Sequence, residues 1–171
     1  MKKYLLLITL TLPLWAGAQI YNKKALDPKR NNEMLIGYCN RDGFRTINSN
    51  FDSCYQVEYP SYSPDKATMA QLKSALKGVK ITIVLATWCG DSKEWVPRFY
   101  KILDELKYKN KNLTVIAVDR TRSAEGTPVD KLSIERVPTF IFYRNKAEIG
   151  RIIETPEGLL EQHMLKILKS N

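Results

Sequence analysis

The groups with most chemistry to offer are three cysteines, Cys39, Cys54 and Cys89, in a chain of 171 residues with a single histidine, His163. An odd number leaves at least one thiol without a partner inside a monomer. Cys89 stands in Ala86-Thr87-Trp88-Cys89-Gly90-Asp91-Ser92-Lys93, where an apolar β-branched run gives way to helical spacing. A cysteine in the first turn of a helix meets the positive end of the macrodipole and several unpaired backbone N–H groups. Both favour thiolate over thiol, and the thiolate is the nucleophile in disulfide exchange. Ser92, three residues on, is expected within hydrogen-bonding reach of that sulfur, and Lys93 adds positive charge nearby. The same pattern also suits a small side chain packing the end of a sheet. One histidine and no paired CxxC argue against a metal site.

The elements that must hold these groups follow from hydrophobic period. Residues 79–86 form an apolar run, hence a buried strand, and Trp95, Phe99, Leu103 and Leu106 give the next segment a helical face. Residues 113–118 read as a second buried strand, and 120–136 as a polar loop around Gly126-Thr127-Pro128. Residues 139–143 and 148–153 read as strands of a hairpin across Arg144-Asn145-Lys146. A last helix opens at Pro156-Glu157 with Leu159, Leu160, Met164, Ile167 and Leu168 on its apolar side. Upstream, Ser63-Pro64 starts a helix that stops at Gly78, and Phe51, Tyr55 and Tyr59 mark one face of a shorter helix. The expectation is an α/β fold with a central four-stranded mixed sheet flanked by helices. Its domain spans 64–171, preceded by a helical extension over 19–63.

Residues 1–18 are expected to be a signal peptide. Lys2 and Lys3 precede an uncharged apolar stretch over 5–15, and Ala16-Gly17-Ala18 supplies small residues for cleavage. Eleven apolar residues fall short of the roughly 20 that span a bilayer, so no stable membrane anchor is expected. Export to a periplasm or the medium places the cysteines where disulfides persist. The formal charge of +9 is spread along the chain without a basic stripe or a nucleic-acid motif, so no nucleic-acid partner is expected.

At this point particular residues carry a resemblance. Trp88-Cys89-Gly90-Asp91-Ser92 resembles the Trp-Cys-Gly-Pro-Cys active site of thioredoxins. Pro97, eight residues after Cys89, matches that family's helix-kinking proline. Val137-Pro138-Thr139 looks like its cis-proline segment, and the strand and turn that follow look like its hairpin. The resemblance covers roughly residues 79–169 and is nearest to small exported thioredoxin-like proteins of Bacteroidetes-type bacteria, many with Cys-Gly-Asp-Ser. It implies a thioredoxin-like fold, a loop at Val137, Pro138 and Thr139 that faces Cys89 and receives an extended substrate, and Trp88 as an apolar wall. It implies no cofactor; partners would be proteins or low-molecular-weight thiols and disulfides.

Two departures limit the resemblance. Ser92 replaces the second cysteine, so Cys89 cannot release a mixed disulfide by that route, and Ile83 stands where the family often has a buried acid. The resemblance therefore implies a monothiol thiol-disulfide oxidoreductase, with Cys89 and Ser92 as its catalytic residues. A non-catalytic binding or chaperone-like module on the same fold is the alternative, and a cytochrome-maturation thioredoxin is weaker because such proteins depend on two cysteines. Cys39 and Cys54, 15 residues apart, read most simply as a structural disulfide, worth about 3 kcal/mol for a loop of that size. They are also compatible with no bridge, or with one of them resolving Cys89.

Overall fold

The run Val-Lys-Ile-Thr-Ile-Val-Leu is β-branched at alternate and then at consecutive positions, which suits a strand buried on both faces. In a computed structural model describing residues 21–47 and 50–170, it forms the central strand β3, Val79–Leu85. The residues proposed as a signal peptide lie outside the described segments.

The strands before β3 in the chain are β1, Lys23–Asp27, and β2, Asn32–Tyr38; those after it are β4, Leu113–Ala117, β5, Thr139–Arg144, and β6, Ala147–Ile153. One sheet joins them in the order β1-β2-β4-β3-β5-β6. β3 runs parallel to β4, with Ile83 opposite Val115, and antiparallel to β5, with Ile83 opposite Phe140. The β5–β6 hairpin turns through Asn145 and Lys146, both at left-handed φ (52° and 70°). Two consecutive positive φ angles are what a tight two-residue turn between twisted strands requires.

The sheet thus has six strands rather than four. The additional pair is β1–β2, from the region expected to be a helical extension. β1 carries Lys23 and Lys24 and is an edge strand, so it lacks the apolar signature of a buried one. β2 holds Met34 and Leu35 in the interior and reaches β4 through Gly37–Ala117 and Tyr38–Ile116. Helices α1, Arg41–Thr46, and α2, Phe51–Ser61, complete the N-terminal part. α3, Lys66–Ala75, is capped by Asp65, which accepts the Thr68 amide at 2.7 Å; the expected Ser63 cap lies before it. α4 spans Gly90–Glu105, and α5 spans Leu160–Lys169, three residues later than its sequence signal.

The two faces of the sheet are covered differently. The five helices among the described residues pack on one face, where Leu35, Phe44, Phe51, Leu72, Phe99, Phe140 and Met164 share a core with the inward residues of β3. Phe99 stacks on Phe140 with ring centroids 4.3 Å apart. The other face carries a smaller cluster, Val84, Ala86, Ile116 and Val118, roofed by Ala124, Val129 and Val137 from the segment between β4 and β5. The N-terminal region shares the main core with the rest of the chain and is not a detached appendage.

Candidate active site

β3 ends at Leu85 and α4 begins at Gly90, so the intervening turn aims its side chains at the C-terminal edge of the sheet. Cys89 occupies the N-cap of α4, with extended backbone (φ −85°, ψ 135°). Its amide donates to the Ala86 carbonyl at 3.0 Å, closing the turn. The residue is partly exposed. The thiol donates to the Val137 carbonyl oxygen at 3.2 Å, and the Asp91 carboxylate lies 3.8 Å from it. Asp91 is in the first turn of α4, where a negative charge suits the dipole.

The Val137–Pro138 peptide bond is cis, and it leads directly into β5. The Thr139 hydroxyl is buried and donates to the Arg136 carbonyl at 2.6 Å, fixing the loop from inside. Trp88 lies half-buried beside the cysteine, and its Nε1–H donates to the Val118 carbonyl at 3.1 Å. The structure therefore brings Trp88, Cys89, Val137, Pro138 and Thr139 into one site.

Ser92 behaves differently from the expectation. It is 0 % exposed, and its hydroxyl oxygen accepts the Ala86 amide at 3.2 Å instead of bonding the Cys89 sulfur. The first turn of α4 points this side chain down toward the end of β3, so it braces the turn from within. Lys93 is also drawn inward, to 7 % exposure, with its ammonium donating to the Asn50 side chain. Burial lowers its pKa, an effect partly offset by the nearby Cys54 and Cys89.

All three cysteines are free, so Cys39 and Cys54 form no structural disulfide. Their surroundings separate them. Cys39, directly after β2, is 2 % exposed, and burial pushes its thiol up to about 12. Cys54 is in the first turn of α2 and partly exposed, on the side that meets Lys93. His163 is engaged as well, its Nδ1 accepting the Glu157 amide at 2.9 Å. No group of three or more potential metal ligands occurs among the described residues.

Two further residues belong to the site. Arg120, just beyond β4, places its guanidinium 4.3 Å from the centroid of the Trp88 ring. Its Nε and Nη2 donate to both carboxylate oxygens of Asp27, at 3.0 and 2.7 Å, and Asp27 is 0 % exposed at the end of β1. In the sequence Arg120 reads only as part of a polar loop, and Asp27 lies 93 residues away. Arg120 and Arg122, shortly after a buried strand, are the local signal the sequence offers.

The chain is similar to known proteins. Residues 66–166 match the thioredoxin family model. A putative thioredoxin-5 of Dictyostelium discoideum is 34% identical over 99 residues, 58% of this chain and 89% of the relative. Thioredoxin H9 of Arabidopsis thaliana is 29% identical over 133 residues, 70% of this chain and 86% of the relative. Among solved structures, a Pseudomonas aeruginosa protein of unknown function superposes with a TM-score of 0.55 at 14% identity, over 78% of this chain and 91% of its own. That last likeness concerns fold alone, but the family match spans more than half of the chain, and with Cys89 facing a cis-proline loop it places this protein in the thioredoxin family.

Proposed function

We propose that this protein is an exported thiol-disulfide oxidoreductase of monothiol type, acting through Cys89. The observation that carries the reading is partly exposed Cys89 at the N-cap of α4, its sulfur 3.2 Å from the Val137 carbonyl beside Pro138. A bound extended chain would pair with the backbone of Val137 and lie against Trp88. The Cys89 thiolate would attack one sulfur of a substrate disulfide. The substrate S–S bond breaks, a Cys89–substrate disulfide forms, and the departing thiolate takes a proton from water. A second thiol, from a partner or a small molecule, then attacks the substrate sulfur and returns Cys89 as thiolate.

Ser92 carries no sulfur and Cys39 is buried, so the second thiol comes from outside the chain unless Cys54 supplies it. Cys54 is the one other cysteine with solvent access. The sealed Ser92 also favours the alternative, a thioredoxin-fold module that grips extended chains without chemistry. Turnover of an insulin-type or glutathione mixed-disulfide substrate separates the two. Cys89→Ala is expected to lose all exchange; equal rates for variant and parent would transfer the assignment to the binding module. Export is supported by the apolar stretch and small residues of 1–18, and would be read as loss of those residues from the mature protein.

A further inference from the structure

Resting on that reading, we propose that Arg120, pinned by Asp27, is a positioning residue for Cys89. It clamps the Trp88 wall and holds a fixed dipole with its positive end toward the sulfur. By this route β1 sets how readily Cys89 becomes a thiolate.

Three contacts fix the geometry. The Trp88 ring is held at its edge by the Val118 carbonyl and on its face by the Arg120 guanidinium, 4.3 Å from the centroid. A guanidinium at that distance is attracted by the ring quadrupole. Arg120 cannot swing away, because both oxygens of Asp27 hold it in a bidentate fork. Asp27 is fixed in turn, accepting the Lys29 amide at 3.0 Å, and the Arg120 hydrogen bonds hold its carboxyl below the usual range. The ion pair is therefore charged at every working pH. Its positive end is the one that meets the site: the guanidinium lies over the ring of Trp88, the residue before Cys89, while the Asp27 carboxylate meets Arg120 and the Lys29 amide.

The other charges around the sulfur do not duplicate this arrangement. Asp91 and Lys93 come from α4, the former 3.8 Å from the sulfur and the latter tied to Asn50. Cys54 on α2 and Arg30 in the β1–β2 turn act on Lys93. On the cis-proline side, Arg136 is paired with Glu154 at 2.5 Å, with Glu135 beside it. Of these groups, Arg120 is the one whose charge lies over the Trp88 ring.

The test is the pH dependence of iodoacetamide alkylation, read at the Cys89 peptide by mass spectrometry in the full mature chain. Asp27→Asn frees the positive charge, so the midpoint should fall and the rate below it rise about 3- to 10-fold. Arg120→Met leaves the Asp27 carboxylate facing the site, so the midpoint should rise and the rate fall by a similar factor. Arg120→Lys keeps the charge but loses the fork, and should fall between Arg120→Met and the parent. Opposite shifts for the two charge variants are something a merely structural role would not produce. Shifts of the same sign, or unmoved midpoints, would overturn the proposal. If Asp27→Asn does not fold, the Arg120→Lys and Arg120→Met pair decides, and equal midpoints for these two would overturn it. Alkylation needs no disulfide substrate, so a flat result here leaves exchange by Cys89 standing. Absent exchange with shifted midpoints would count against the oxidoreductase reading alone.

Discussion

Cys39 and Cys89 are the same residue type in one chain, and they differ in almost everything that decides reactivity. Cys39 follows a strand, is sealed in the main core near Tyr100, and is held protonated by burial up to about 12. Cys89 caps a helix at the sheet's edge, partly exposed, with its thiol bonded to the Val137 carbonyl and the Asp91 carboxylate nearby. The contrast teaches that a thiol is made available by where a strand stops. Five helices close one face of the sheet over Cys39, while the segment between β4 and β5 roofs the other and leaves the strand-to-helix turn open.

The largest expected effect of this contrast is on labelling. Under native conditions iodoacetamide should modify Cys89 first and Cys54 next, with Cys39 slower by at least about 10³, because it reacts only when the core opens. Peptide mapping over time checks this; comparable rates for Cys39 and Cys89 would break the comparison. A smaller effect is expected for Ser92→Cys, which puts a thiol one helical turn from Cys89 at a spacing a disulfide can span. Release of a Cys89 mixed disulfide should then accelerate about 100-fold as the second thiol becomes intramolecular. Stopped-flow release without added thiol would show it, and unchanged release would mean that the buried orientation of Ser92 is rigid.

The smallest effect concerns stability at alkaline pH. Cys39 keeps its proton in the folded state up to about 12 and loses it near 9.0 when exposed. Between those values the folded state binds more protons, so the Cys39 contribution is full below the lower value and is lost as pH rises. The slope is at most about 1.4 kcal/mol per pH unit. Cys39→Ala should flatten the fall in denaturation midpoint between pH 9 and 11, and an identical slope in variant and parent would contradict the buried-thiol assignment.

Much of the fold can be read from residue order, because β3 to β6 and α4 announce themselves by period and composition. The hairpin turn at Asn145-Lys146 lies where the polar triplet puts it. β1 and β2 escape that reading, since an edge strand with two lysines has no apolar run and the short apolar patch Met34, Leu35 and Ile36 of β2 does not by itself mark a strand. The site is legible where it is local: Trp88, Cys89 and the Val137-Pro138 segment are close to their elements' ends. It fails where a side chain's direction decides, as at Ser92, which turns inward to the Ala86 amide. It fails again where the partner is distant, as for Arg120 and Asp27, which the sheet order brings together across β2 and β4. The expected Cys39–Cys54 disulfide rested on spacing and compartment, and neither anticipates that one sulfur joins the core while the other faces α4.

The most direct test of the central claim is intact-mass analysis of the reduced mature protein mixed with a small disulfide such as oxidised glutathione. The account predicts a single adduct on Cys89 that persists until an external thiol is added, then disappears with return of the free protein. No adduct on Cys89, or an adduct that clears unaided into a disulfide between Cys89 and another cysteine of the same chain, would contradict a monothiol mechanism.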